Sequence, residues 1–90
     1  MIQKMDADYA WEKTAQLLAI DSPSGFTDRA AAWVRDEFEK LGFPAVITAK
    51  GGVLADLGGS DEQDALLLEA HTDTLGGMVA QIKSSGCLKL

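Results

Sequence analysis

Ala65-Leu66-Leu67-Leu68-Glu69-Ala70-His71-Thr72-Asp73 is a short apolar run that ends on the only histidine in the chain. A continuous run of this length, broken only by Glu69, suits a strand buried on both faces. In open α/β sheets, ligands bind beyond the carboxyl ends of the strands, so His71 stands where chemistry is expected. Asp73 follows two residues later, and in a locally extended segment residues two apart point the same way. A metal-bound histidine commonly gives its second ring N–H to a carboxylate or a carbonyl, which fixes the tautomer. His-x-Asp at a strand end therefore reads as half of a metal site.

The bland alternatives stand beside this reading. A lone histidine is commonly a surface or hydrogen-bonded structural residue. Glu69 would share the side of His71, or lie solvated on the strand. Cys87 reads best as a small buried apolar residue. A catalytic zinc needs about three protein ligands plus water, and these residues do not complete one.

Working outward, Leu75-Gly76-Gly77 leads into Met78–Lys83, whose alternation predicts another strand. Gly76-Gly77 allows backbone close to a ligand, or makes a plain turn. Ser84-Ser85-Gly86 is a turn, and Cys87–Leu90 begins a further strand. Upstream, Ala45–Lys50 and Val53–Leu57 flank Gly51-Gly52, a two-residue hairpin signal. The acidic loop Gly58–Asp64 follows and reads as solvated.

Two helices precede the strands. The first is expected over about Ala7–Ile20, with Trp11, Ala15 and Leu18 on one stripe and Asp6 and Asp8 at the positive end of its dipole. The second begins near Thr27, carries the stripe Ala30, Val34, Phe38 and Leu41, and stops at Gly42 ahead of Pro44. Trp33 widens that stripe. Both tryptophans read as core or interface anchors. Asp21-Ser22-Pro23-Ser24-Gly25 between the helices is a cluster of turn formers, with no Gly-x-Ser-x-Gly elbow around either serine. The order is two helices followed by strands, an α/β or α+β start, of which an α/β class with a mixed sheet is the one expected. Because the sequence stops early in the second strand of a hairpin, the expectation is a piece of something larger.

Composition narrows the function. The 90 residues carry 14 acids against 8 bases, a net charge of −6. Nucleic acid and anionic membrane surfaces are unsuitable partners for such a chain. Hydrophobic residues make up 47%, too many for a disordered tail. No run approaches a membrane span, and Met1–Asp8 lacks the pattern of a signal peptide. One cysteine excludes an internal disulfide, and a cytoplasmic location is expected.

The segment Leu66–Val79, with Ala70-His71-Thr72-Asp73, two residues, Gly76 and then Met78-Val79, resembles the first metal-ligand motif of the TET-type metallo-aminopeptidases. These are peptidase family M, number forty-two, the glutamyl and deblocking aminopeptidases. Leu17–Ile20, the turn Ser22–Phe26 and the helix to Leu41-Gly42 are similar to that family's N-terminal segment in order and spacing. Ile82–Leu90 resembles entry into its inserted β-domain. The resemblance implies an incomplete zinc-peptidase (phosphorylase/hydrolase-like) fold, with 1–77 in the catalytic domain and 78–90 opening the insertion. It implies two divalent metal ions, zinc or cobalt, a bridging water as nucleophile, peptide substrates and a homo-oligomer. His71 matches the metal ligand, and Asp73 the catalytic carboxylate that orients it. The bridging aspartate, the catalytic glutamate, the other acidic ligands and the second histidine have no counterpart here, so this chain by itself is expected to be inactive and to bind no metal tightly. Thr74 departs from a glutamate common at that place. Two rival readings stay open: a naturally short binding or assembly module, and a piece of the related carboxypeptidase-like or acetylornithine deacetylase-like hydrolases. The latter usually continue with Val-Pro, where this chain has Leu75-Gly76-Gly77.

Overall fold

Asp6 opens the first helix because its carboxylate accepts a hydrogen bond from the Tyr9 amide at 3.0 Å, satisfying one of the free donors of the first turn. The computed structural model describes residues 5–90. Residues 1–4, part of the stretch without a signal-peptide pattern, lie outside the described residues. Helix α1 runs over Ala7–Leu18, two residues short of the expected end. The stripe expected on it is turned to solvent: Trp11 is 80% exposed and Leu18 is also exposed, so of the core and interface alternatives for Trp11 the core one does not hold among the described residues. The helix formed where its spacing predicted, but no described element covers that face.

Helix α2 spans Asp28–Lys40 and follows the expectation closely. Thr27 takes the N-cap position without a side-chain hydrogen bond to the helix. At the other end Gly42 has φ +90°, and its amide donates to the Glu39 carbonyl at 2.9 Å. This left-handed residue ends the helix at little steric cost because glycine lacks a Cβ. The apolar face of α2 lies on a hairpin, with strand β1 at Ala45–Ile47 and β2 at Val53–Ala55 paired antiparallel, Ile47 opposite Val53. Ala30, Ala31 and Ala45 are the buried apolar residues where these elements meet. Small side chains let helix and hairpin approach closely, but they bury little apolar area. The connection is longer than the expected Gly51-Gly52 turn. It runs over Thr48–Gly52, closed by bonds from the Thr48 amide to the Gly52 carbonyl and from the Gly51 amide to the Thr48 carbonyl.

A second antiparallel pair joins β3, Gln81–Ile82, to β4, Leu88–Lys89, across the expected Ser84-Ser85-Gly86 turn. Cys87 is exposed here, not buried, because neither face of this pair is covered. The described strands form two separate two-stranded sheets and no single mixed sheet. The largest departure is at Ala65–Ala70, which forms no strand. Leu66, Leu67 and Leu68 are 85%, 71% and 78% exposed. A strand requires a neighbour to take its amide and carbonyl groups, and no described segment pairs with this one.

The consequence shows in the dimensions. The radius of gyration is 17.5 Å, against roughly 12 Å for a compact domain of this length. The accessible surface is 8058 Å², against roughly 5,100 Å² for a compact protein of this mass. No helix among the described residues is long and apolar enough to cross a membrane.

Candidate functional site

The site is built by a crossing of two segments far apart in sequence. The turn after α1 is fixed by Pro23, whose carbonyl accepts from the Phe26 amide at 2.8 Å, and by Gly25 at φ +88°. Against this turn lies the segment carrying His71 and Asp73. The Thr74 amide donates to the Ser22 carbonyl at 2.8 Å, and Pro23 and Thr74 form an isolated parallel bridge. Gly76 comes so close that a Cβ there would lie 3.3 Å from Pro23 Cβ. At its first glycine the Gly76-Gly77 pair therefore admits the close approach of the turn.

The two residues expected from the sequence meet locally, beside the crossing. His71 Nδ1 lies 3.0 Å from the backbone carbonyl oxygen of Asp73 and 3.2 Å from its Oδ1. A carbonyl only accepts, so Nδ1 carries the proton in this arrangement. In the neutral ring that leaves the lone pair on Nε2, the form a metal takes. The imidazole is 86% exposed, so Nε2 is accessible. Asp73, less exposed at 44%, is engaged through both carboxylate oxygens. The second oxygen, Oδ2, accepts from Ser24 Oγ at 2.6 Å. That hydrogen bond is the main cause holding the Asp73 carboxyl below the usual carboxylate range. Partial desolvation opposes it, and the nearby imidazole assists.

Ser24 is the residue that sequence reasoning missed. It was legible only as part of a turn, and it stands 49 positions from its partner. No local spacing signals such a contact. Ser22 is fully buried, and its hydroxyl has no partner among the described residues. Glu69 is exposed, in keeping with the solvated alternative. Neither His71 nor Asp73 lines the 460 Å³ cleft beside the crossing, which Ile20, Ser22, Pro23, Phe26 and Thr74–Val79 help to form.

The donor set is small. Among the described residues no group of three or more His, Cys, Asp or Glu side chains converges. One histidine and one neighbouring carboxylate fall short of the three or so protein ligands of a catalytic zinc. These residues alone do not fit a complete metal centre.

Comparison with known proteins shows what the chain is similar to. Residues 51–90 match the family described as M42 glutamyl aminopeptidase. Over 79 residues the chain is 37% identical to a Bacillus subtilis (strain 168) protein named "Putative aminopeptidase YhfE", a match that covers 88% of this chain and 23% of that relative. The chain thus spans about a quarter of the length of the curated relative it matches. No solved structure matches it. His71, Asp73 and the glycine pair all lie inside the stretch that matches the M42 glutamyl aminopeptidase family, and the two comparisons together support a piece of an aminopeptidase of that kind.

Proposed function

We propose that this chain supplies one histidine ligand and its orienting carboxylate to the metal centre of an aminopeptidase. The observation that carries the reading is the His71–Asp73 geometry, in which Nδ1 is held by Asp73 and Nε2 is left free. The family match supports an aminopeptidase reading; on that reading the substrates are peptides and the candidate cofactors are two divalent ions, zinc or cobalt. The ions' own contribution is Lewis acidity and an acidified water, and it requires ligands beyond the described residues. What these residues do is bind and orient: Asp73 fixes the ring, and Nε2 presents the lone pair.

A test uses the native gene product carrying this segment, purified with its metal. Release of N-terminal residues from peptides, with bound zinc or cobalt measured by mass spectrometry, is compared between the natural sequence and His71→Ala. Loss of both activity and metal is expected. Full metal content and full turnover in His71→Ala would remove His71 from the site. The 90-residue chain by itself is expected to hydrolyse no aminoacyl anilide, and chelator-sensitive turnover by it would overturn the half-site reading.

A second reading, a non-catalytic assembly module, draws on the exposed Leu66-Leu67-Leu68 run. It predicts a native product that holds no metal and retains its partners in His71→Ala. The M42 match favours the aminopeptidase over the carboxypeptidase-like relatives.

A further inference from the structure

We propose that Ser24 is a positioning residue for the metal-ligand pair: its hydroxyl locks the Asp73 carboxylate, and Asp73 in turn locks the His71 ring. This rests on the reading of His71 as a ligand.

The geometry separates the hydroxyl's task from that of the surrounding turn. The backbone already holds the two segments together, through the Thr74 amide on the Ser22 carbonyl and the Pro23–Thr74 bridge. The Ser24 side chain is not needed for that crossing. What it fixes is a torsion. The terminal torsion of an aspartate is broad and roughly two-fold, so the plane of an exposed carboxylate is otherwise free to turn. Here Oδ1 is 3.2 Å from His71 Nδ1, a loose contact, while Oδ2 is 2.6 Å from Ser24 Oγ. The second distance is that of a charge-assisted O–H···O⁻ bond. The short bond therefore sets the carboxylate plane, and the longer one follows from it. The chain Ser24–Asp73–His71 extends the orienting shell one residue beyond the carboxylate. Turn residues Pro23 and Gly25 place the serine: Pro23 fixes the backbone before it, and Gly25 takes the left-handed conformation after it.

The experiment uses the native gene product. Ser24→Val and Ser24→Thr have nearly the same shape and differ in the hydroxyl, so a folding effect of branching at this turn is common to both. Zinc affinity is read by competition with a chelator, and kcat and KM are read separately on one peptide substrate. Ser24→Thr is expected to stay within about threefold of the natural protein. Ser24→Val is expected to lose roughly tenfold in zinc affinity or kcat, the lower end of what outer-shell changes cost, with KM little changed. Equal affinity and equal kcat for the two variants would overturn the proposal. If His71→Ala also leaves zinc binding intact, the ligand reading itself has failed. If His71→Ala abolishes binding while the two Ser24 variants agree, only the positioning role has failed.

Discussion

Lys13 Nζ lies 2.7 Å from Glu37 Oε2 and ties α1 to α2. The same ammonium stands 5.6 Å from the Tyr9 ring centroid and 5.9 Å from that of Trp33. The cation thus lies within reach of two ring faces. With the Trp11 side of α1 facing solvent, this cluster is a main side-chain link between the helices.

The ion pair gives stability a defined pH dependence. The hydrogen bond from Lys13 is the main cause lowering the Glu37 carboxyl, with Lys40 adding to it. The same bond raises Lys13. A lowered acid stabilises the fold above its unfolded value, about 4.3, and that gain is lost as pH falls through the lower folded value. A raised lysine stabilises the fold below about 10.4, and that gain is lost as pH rises through the folded value. Glu37→Gln is therefore expected to destabilise modestly across the neutral range. The difference from the natural sequence should fade under acid conditions and in high salt. Thermal unfolding of both chains from pH 2 to 9 measures it, and a difference that persisted unchanged at pH 2 would assign the effect to packing.

Gly42 tests backbone conformation without a steric complication. Its φ is +90°, and a Cβ placed there meets nothing within 4 Å. Gly42→Ala is expected to cost about 1 kcal/mol, from the left-handed conformation alone. Gly59→Ala is the control. It has the same open space and no positive φ, so it should be near neutral. Urea midpoints of the two variants decide the matter, and equal midpoints would show that the turn at Gly42 relaxes freely.

What the sequence made legible divides along one physical line. Local signals located α2 with its glycine stop, the Asp6 start of α1, and the two hairpins. Each of these is settled by residues within a few positions of one another. Burial was misread at Cys87 and Leu66–Leu68, because apolarity and periodicity indicate which face seeks cover, not whether cover is present. The site follows the same division. His71 and Asp73 are two residues apart and were found together, whereas Ser24 meets Asp73 only through the chain's crossing.

The uncovered leucines should make this chain associate. Burying one leucine side chain contributes about 1.5–3 kcal/mol, so three adjacent exposed leucines form a strong adhesive patch. Sedimentation of the 90-residue chain is expected to show concentration-dependent association. Leu66→Lys combined with Leu68→Lys should weaken it by at least about tenfold. Unaltered association in the double variant would move the adhesive surface elsewhere, for example to Trp11 and Leu18 on α1.

The crossing itself depends on Gly76. A Cβ at this position would sit 3.3 Å from Pro23 Cβ, a tight contact that a shift of a few tenths of an ångström relieves. Gly76→Ala should therefore be tolerated. The two further methyl groups of Gly76→Val need more room than such a shift provides, and the segments should part. The bond from the Thr74 amide to the Ser22 carbonyl, 2.8 Å long, reports this directly through amide hydrogen exchange. Gly77→Ala is a fair control, since its Cβ would meet only the flexible end of Leu90 at 3.4 Å. Protection at Thr74 is expected to survive in Gly76→Ala and Gly77→Ala and to fall in Gly76→Val. In the native gene product Gly76→Val should also lower zinc affinity, because Asp73 moves away from Ser24 with the crossing. Undiminished Thr74 protection in Gly76→Val would mean that the turn and the His71 segment are held together by something other than this close approach.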